Sequence, residues 1–219
     1  MCGIIGIVGK EAVTPRLIEG LRRLEYRGYD SAGVATLVNG HIDRRRAKGR
    51  IANLEARVAA EPLAGITGIA HTRWATHGGV SERNAHPIAT DHVAIVHNGI
   101  IENFRELRDE LLAEGRHFDS ETDTEAVAHL LTSYLERQMT PEEAMRRAME
   151  RLKGAFALVC MFAGRHDLLI GARRNCPLTL GYGEGEMYLA SDGLALAPWT
   201  KRICYLEEDD WVVVRQCGA

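Results

Sequence analysis

The residue best suited to chemistry in this 219-residue chain is Cys2, which follows Met1 and precedes Gly3 and an apolar run at residues 4–8. A free thiol, with a pKa of about 8.5, is mostly protonated at pH 7. If Met1 is removed, Cys2 also carries an α-amine, whose pKa of about 7.7–8.0 suits a general base. One residue then combines nucleophile and base. The alternative is a small buried cysteine that opens a strand, and Cys2 taken alone favours this alternative.

Three further polar sites lie where predicted elements begin or end. Arg73 belongs to residues 71–79, which close a strand and open a loop. Its guanidinium matches a carboxylate, although many loop arginines simply face water. Asn98 and Gly99 end another strand, and an amide beside a backbone N–H suits an oxyanion, although Asn-Gly also forms ordinary turns. Asp123 lies in the first turn of a helix, where the dipole favours a carboxylate even without a ligand. Each signal alone is weak.

The elements that position these groups follow from the hydrophobic pattern of the chain. Helical spacing begins at Thr14-Pro15 and ends at Gly28, and Asn39-Gly40 separates the two strands of a predicted hairpin. Alternating or apolar runs predict further strands, and 3.6-residue spacing predicts further helices. Up to residue 114, the predicted strands are 3–9, 33–38, 41–47, 66–71 and 92–97, and the predicted helices after the first are 50–60 and 103–114.

Two capping boxes predict the next two helices. Thr122 with Glu125, and Thr140 with Glu143, each precede an apolar helical pattern. Short strands then follow, and the last two are expected to pair across the acidic turn at residues 207–210. The strands predicted after Gly154 are 155–162, 168–173, 178–182, 187–190, 203–207 and 211–215. Strands, then helices, then strands again predict an α+β sandwich, with sheets covered by helices.

Composition restricts the function classes. The chain is 46% hydrophobic and 26% charged, which is ordinary for one globular domain. Its net charge is -3, and the basic stretch at residues 44–50 lacks interleaved aromatics, so nucleic-acid binding is disfavoured. Five cysteines without C-x-x-C spacing indicate neither a disulfide framework nor a zinc site. With no apolar run long enough for a membrane span and no export signal, a cytoplasmic location is expected.

Several longer segments together resemble one family, the class II (N-terminal nucleophile) glutamine amidotransferases. Within it they are similar to the glutaminase portion of the glutamine-fructose-6-phosphate amidotransferases, or glucosamine-6-phosphate synthases. Phosphoribosyl-pyrophosphate amidotransferases differ at residues 26–30 and 73–76, which favours the sugar-phosphate branch. The resemblance implies a four-layer α/β/β/α sandwich of the N-terminal nucleophile hydrolase type, with two mainly antiparallel sheets flanked by helices. The matching segments are residues 1–4, 19–33, the loop around Trp74, 84–87, 97–103 and 120–125.

The resemblance also implies a role for each matching residue. The catalytic positions are Cys2, Asn98, Gly99 and Arg27. The substrate-binding positions are Arg73, Trp74, Thr76, His77 and Asp123. Cys2 is the expected nucleophile, with Asn98 and Gly99 as oxyanion donors, and Arg27 is expected to orient groups beside it. Arg73 is expected to bind the α-carboxylate of glutamine and Asp123 its α-ammonium. His86 and His97 match as well and are interpreted as structural groups, because Cys2 brings its own base.

Members of this family continue into two sugar-isomerase domains that bind fructose-6-phosphate, whereas this chain ends at Ala219. We therefore expect one glutaminase domain over residues 1–219, cut close to its natural end, with L-glutamine as its ligand and neither a cofactor nor a metal. Fructose-6-phosphate would be bound only through the absent domains, and the intact family enzyme allows a homodimer. Two alternatives stay open, an N-terminal nucleophile amidohydrolase acting on another amide and an inactive truncated interaction domain.

Overall fold

The computed structural model describes residues 2–75 and 77–219. Up to residue 103 it contains β1 (Gly3–Val8), α1 (Thr14–Leu24), a 3₁₀ turn (Glu25–Arg27), β2 (Ser31–Val38), β3 (His41–Lys48), α2 (Ile51–Ala60), β4 (Thr67–Arg73), β5 (Ile88–Ala89) and β6 (Val93–Ile101). The remainder contains α3 (Phe104–Ala113), α4 (Asp123–Glu136), α5 (Pro141–Arg151), β7 (Gly154–Phe162), β8 (Leu168–Arg174), β9 (Thr179–Tyr182), β10 (Met187–Ala190), a second 3₁₀ turn (Gly193–Ala195), β11 (Ile203–Tyr205) and β12 (Trp211–Arg215).

The strands form two sheets that face each other. The larger sheet has the order β11-β9-β10-β1-β4-β2-β3, and the smaller has the order β12-β8-β7-β6-β5. Neighbouring strands in both sheets are antiparallel. One apolar core lies between the sheets, a second lies under α1 and α2, and a third lies under α3, α4 and α5. These layers confirm the predicted four-layer α+β sandwich.

Strand alternation determines which side chains enter the layer between the sheets. In β1, Ile5 packs under the helices while Ile4 packs between the sheets, because successive side chains of a strand point to opposite faces. A strand buried on both faces therefore needs apolar residues throughout, as the run at residues 4–8 provides. In β4 and β6, Ile69 and Val96 likewise face the space between the sheets.

The helix α4 is the most deeply buried helix of the fold. Every residue from Asp123 to Tyr134 except His129 is buried, and the helix contacts α3, α5 and β6. A helix buried on nearly all sides cannot shift without disturbing several layers at once. Its first turn is therefore held firmly against the end of β6.

Two predictions from short-range sequence signals are confirmed. Asn39 and Gly40 have φ values of 51° and 83°, as the tight turn of a two-residue hairpin requires, and β2 pairs with β3 on either side of them. The capping box at Thr140 is formed as well. Its hydroxyl accepts a hydrogen bond from the Glu143 amide at 3.2 Å, and the Glu143 carboxylate accepts one from the Thr140 amide at 2.9 Å.

The capping box predicted at Thr122 is wrong, although α4 does begin at Asp123. The Thr122 side chain accepts no capping bond. The Glu125 carboxylate instead accepts hydrogen bonds from the amides of Asp119 and Ser120, at 2.8 and 2.6 Å, and from the Ser120 hydroxyl at 2.7 Å. The segment before the helix turns back over its first turn and offers Glu125 more donors than the Thr122 amide alone.

The predicted pairing of residues 203–207 with 211–215 is also wrong. β11 pairs with β9 in the larger sheet, and β12 pairs with β8 in the smaller one. The acidic segment at residues 207–210 therefore crosses from one sheet to the other. A hairpin here would leave the edges of β8 and β9 without these partners, whereas the crossing extends both sheets by one strand.

Within residues 2–75 and 77–219, no helix is both long and apolar enough to cross a bilayer. In the same part of the chain, no three His, Cys, Asp or Glu side chains converge in a way that could hold a metal ion. All five cysteines are free thiols.

The capping box of α5 leads to a test of stability. We expect Thr140→Ala to lower the free energy of unfolding by about 1 kcal/mol, because one N-terminal helix amide loses its acceptor. Thr140→Ser keeps the hydroxyl and serves as the matched control, with a much smaller loss. Urea denaturation followed by circular dichroism measures both variants. Equal losses for Ala and Ser would show that the hydrogen bond contributes nothing.

Candidate functional site

One cavity of about 270 Å³ lies at the end of the layer between the sheets, a size suited to a small ligand. Strand ends and loops from both sheets converge there. The residues predicted for the site that line the cavity are Cys2, Arg27, Arg73, Trp74, His77, Asn98, Gly99 and Asp123. Thr76, the remaining predicted site residue, lies outside the described residues. Residues that are far apart in sequence are therefore brought together.

Cys2 reaches the cavity because it precedes β1 on the face that carries Ile4. The pairing of Gly3 with Thr72 places Cys2 beside the chain that leaves β4, and the Trp74 amide donates a hydrogen bond to Sγ at 3.1 Å. Burial raises the pKa of the Cys2 thiol, while the bond from Trp74 acts in the opposite direction. The thiol is therefore protonated at neutral pH and needs a base in order to react.

Asn98 and Gly99 lie near the end of β6, opposite Cys2. The Asn98 side chain faces the other sheet, as Val96 does two residues earlier, and its Nδ2 donates to the Cys2 carbonyl oxygen at 2.9 Å. Gly99 has a φ of 109°, and a Cβ added there would lie 2.0 Å from the Ala155 carbonyl oxygen. Only glycine fits this position without moving β7. The close packing fixes the backbone that follows Asn98.

Arg73 is buried, and its guanidinium holds the loop that follows β4. It donates hydrogen bonds to the carbonyl oxygens of His77, of Gly78 at 3.1 Å and of Gly79 at 3.2 Å. Asn84 also donates to Gly79, at 3.0 Å. Arg73 therefore shapes one wall of the cavity as well as lining it. Its expected contact with a ligand carboxylate stays a prediction.

Asp123 is the first residue of α4, where the helix dipole favours a negative charge. Its Oδ2 accepts a hydrogen bond from the Ile101 amide at 2.9 Å, and its Oδ1 lies 3.7 Å from Nδ1 of His97. The carboxylate is buried and lines the same cavity as the guanidinium of Arg73. A small zwitterion would meet opposite charges within one cavity.

Arg27 lies in the wall beside Cys2 and is held by an ion pair. Its Nη2 lies 2.6 Å from Oδ2 of Asp192, and Tyr26 donates to the same oxygen at 3.1 Å. The next residue, Gly28, packs on the backbone between Arg73 and Trp74, since an added Cβ would lie within 3 Å of three of its atoms. This close approach joins the Arg27 turn to the Trp74 loop.

Trp74 forms the outer rim of the cavity. The residue is 51% exposed, and its ring meets the ring of Tyr29 edge to face, with the centroids 5.7 Å apart. The Ala75 amide donates to the Asp30 carboxylate, which anchors the loop on the same side. On the inner side, the His77 ring packs against Phe104.

Three buried histidines, His71, His86 and His97, form the floor of the cavity. The Thr124 hydroxyl lies between two of them, 2.7 Å from Nε2 of His86 and 2.9 Å from Nδ1 of His97. Burial lowers the pKa of all three rings, and that of His71 falls to about 3. They are therefore neutral at pH 7, and each can both donate and accept a hydrogen bond.

The residues that line the cavity without having been predicted for the site include Cys176 and Pro177. They follow β8, and neither belongs to a motif that marks a site. Cys176 is a partly buried thiol in the same cavity as Cys2, and burial raises its pKa. No local signal could have placed it there, because the position depends on how β8 packs against β1.

Comparison with known proteins gives one family match. Residues 71–198 match the family described as glutamine amidotransferase domain. The chain is 63% identical over 218 residues to glutamine–fructose-6-phosphate aminotransferase (isomerizing) of Brucella suis biovar 1. It is 60% identical over 219 residues to the protein of the same name from Bradyrhizobium diazoefficiens. Both alignments cover all of this chain but only 36% of the relative, so the chain spans about a third of their length.

Solved structures agree with this match. Glutamine phosphoribosylpyrophosphate amidotransferase from B. subtilis, complexed with ADP and GMP, superposes with a TM-score of 0.83 at 25% identity, covering 99% of this chain and 48% of that one. A glutamine aminotransferase class-II domain protein from Silicibacter pomeroyi superposes with a TM-score of 0.66 at 18% identity, covering 99% of this chain and 96% of that one. The second likeness concerns the fold alone.

The buried carboxylate of Glu125 leads to a pH-dependent prediction for the start of α4. Burial alone would raise its pKa, but the neighbouring His129 ring, 3.7 Å away, and the hydrogen bonds from Ser120 and the Asp119 amide together lower it to about 2, from an ordinary 4.5. A lowered pKa in the folded state stabilises the fold above the ordinary value, and this stabilisation disappears as the pH falls towards 2. Glu125→Gln should therefore destabilise the protein strongly at pH 7 and much less at pH 3.

Urea denaturation at pH 7, 5, 4 and 3 measures this dependence. Glu184→Gln removes an exposed carboxylate from the loop between β9 and β10 and should leave the free energy of unfolding unchanged throughout. If the effect of Glu125→Gln is the same at pH 7 and pH 3, the ionised carboxylate does not stabilise α4.

Proposed function

Because the chain belongs to the glutamine amidotransferase family, we propose that its cavity hydrolyses L-glutamine to glutamate and ammonia through a thioester on Cys2. The observation that carries the proposal is the convergence of a thiol, an amide donor and two opposite charges on one cavity, from Cys2, Asn98, Arg73 and Asp123. An amino acid carries a carboxylate and an ammonium on one carbon. A site for its side-chain amide therefore needs both charges beside the nucleophile.

The chemistry follows from the two groups of Cys2. Once Met1 is removed, the α-amine takes the thiol proton as sulfur bonds to the amide carbon and the carbonyl electron pair moves to oxygen. The amine returns the proton to the amide nitrogen, the C–N bond breaks and ammonia leaves. Water then adds to the thioester, and the C–S bond breaks to give glutamate and the thiol. The base is required because burial raises the pKa of Cys2.

The negative oxygen of the tetrahedral intermediate is assigned to Asn98 and Gly99. Nδ2 of Asn98 already lies 2.9 Å from the carbonyl oxygen of Cys2, so this donor is next to the nucleophile. The backbone N–H of Gly99, the next residue of β6, is assigned as the second donor. Loss of one oxyanion donor typically costs on the order of 100- to 1000-fold in rate.

Substrate recognition is assigned to the charged walls of the cavity. Arg73 would bind the α-carboxylate and Asp123 the α-ammonium, which sets the orientation of glutamine relative to Cys2. His77 belongs to the loop that Arg73 holds, Thr76 is assigned to the same binding role by its place in the sequence, and Trp74 would shield the bound substrate from water. Arg27, fixed by Asp192, would orient groups beside the nucleophile.

The further use of the ammonia belongs to a longer protein. The chain spans 36% of relatives named glutamine–fructose-6-phosphate aminotransferase, and we propose that residues 1–219 are the glutaminase domain of such an enzyme. Fructose-6-phosphate would then be bound by sequence outside this chain, and a homodimer would be a property of the intact enzyme. A cytoplasmic location is part of the same proposal, since five free thiols suit a reducing compartment.

The test of this proposal is the release of glutamate by the purified chain. We expect release from glutamine but not from asparagine or propionamide, because only glutamine offers both end charges at the right distance from its amide. Cys2→Ala should abolish release while leaving the circular dichroism spectrum unchanged. Cys204→Ala, which removes an exposed thiol, is the matched control and should retain activity. Equal rates with all three amides would contradict the assignment to glutamine.

The two side chains assigned to the charged ends of glutamine, Arg73 and Asp123, lead to a second prediction. Arg73→Ala and Asp123→Asn should raise the KM for glutamine by on the order of 10- to 100-fold, since each loses a charge-assisted contact of about 1.5–3 kcal/mol. Steady-state glutamate release at varied glutamine concentration measures the effect. Asp119→Asn, at an exposed carboxylate just before α4, should leave the KM unchanged. If the KM for glutamine is unaltered in both Arg73→Ala and Asp123→Asn, the assignment of these residues to substrate binding is refuted.

A further inference from the structure

His71 makes a hydrogen bond that joins the two sheets directly beneath the cavity. It lies in β4, two residues after Ile69 and on the same face, and its side chain is fully buried. Its Nε2 lies 2.9 Å from the carbonyl oxygen of His97 and 3.0 Å from Oδ1 of Asn98. One ring nitrogen of the larger sheet thus meets two consecutive residues of the smaller sheet.

The identity of the acceptors fixes the tautomer of His71. The backbone carbonyl of His97 can only accept a hydrogen bond, so Nε2 must carry the hydrogen. At neutral pH the ring holds a single proton, because burial lowers its pKa to about 3. The hydrogen is therefore on Nε2, and Nδ1 is unprotonated.

This tautomer in turn fixes the amide of Asn98. The atom of Asn98 that faces an N–H must be its oxygen, so the NH₂ group must point the other way, towards Cys2. There Nδ2 meets the Cys2 carbonyl oxygen at 2.9 Å, which again can only accept. A flipped amide would place two donors together at His71 and two oxygens together at Cys2. Both ends of the side chain therefore select the same orientation.

We propose that His71 is a positioning residue that holds the NH₂ group of Asn98 towards the reacting carbonyl oxygen. The inference rests on the proposed function, because it concerns the oxyanion donor of that reaction. The Asn98 amide has two hydrogens on Nδ2, of which one binds the Cys2 carbonyl and the other faces the cavity. Without the donor on His71, the amide loses the contact that keeps its oxygen turned away from the developing negative charge.

His86 provides a matched comparison in the same buried cluster. Its ring lies 4.6 Å from that of His71 and is also buried, but its hydrogen bond goes to Thr124 rather than to Asn98. Replacing either ring with leucine removes a buried imidazole and a hydrogen bond. Only the change at His71 removes a partner of the oxyanion donor.

The experiment is a double-mutant cycle on glutamate release. We expect His71→Leu to lower kcat by on the order of 10- to 100-fold with the KM changed by less than about 3-fold, since a transition-state donor is affected rather than substrate binding. In an Asn98→Ala background, His71→Leu should cost no more than about 2-fold, because the amide that it positions is gone. His86→Leu should have the same fold effect in both backgrounds. His71→Gln, which restores an N–H near the Nε2 position, should recover most of kcat.

The outcomes show whether or not His71 positions the Asn98 amide. Full additivity of His71→Leu with Asn98→Ala, or an effect on KM alone, would overturn the positioning role. Thermal unfolding checks that the variants fold, and the ¹⁵N NMR spectrum of the wild-type histidine rings tests the tautomer without reference to activity. Protonated Nε2 in His71 supports the inference, and protonated Nδ1 overturns it. A wild-type chain that releases no glutamate while showing protonated Nε2 would contradict the proposed function but not the orientation of Asn98.

Discussion

The two sheets meet at one end through hydrogen bonds rather than apolar contact, and the rest of the site depends on this junction. Along most of the layer, residues such as Ile4 and Val96 interlock and exclude water. At its end the same strand faces carry His71 and Asn98, whose polar atoms must find partners once they are buried. Strand alternation brings these groups face to face, and the bond between them gives a partner to Nε2 of His71 and to Oδ1 of Asn98. The junction is therefore polar and also rigidly specified.

Burial at this junction determines the charge of the groups that line it. It lowers the pKa of the histidines that form the floor and raises the pKa of the Cys2 thiol, since charged forms are costly away from water. The acidic and basic side chains that line the cavity are each held by specific partners, namely Arg27, Arg73 and Asp123. A neutral thiol between charged side chains is the arrangement that the proposed reaction of a zwitterionic substrate would use.

Two glycines allow backbone segments to pack closely around the cavity. Gly28 lies against the chain between Arg73 and Trp74, and Gly99 lies against Ala155 with a backbone conformation that favours glycine. A side chain at either position would push apart segments whose residues line the cavity. The glycines thus contribute through the space that they leave free, which allows the Trp74 loop and the end of β6 to approach Cys2.

The sequence by itself determined most elements of this fold, because alternation, helical spacing and turn residues such as Asn39-Gly40 act over short distances. The resemblance of its segments also indicated most of the residues that line the cavity. Tertiary structure alone decided that Glu125 binds Ser120 instead of closing a capping box, that β11 and β12 join different sheets, and that Cys176 faces the cavity. Each of these depends on which partners the packed layers bring within reach. Local patterns report the conformation of a segment, whereas its hydrogen-bond partners are chosen among groups that are distant in the chain.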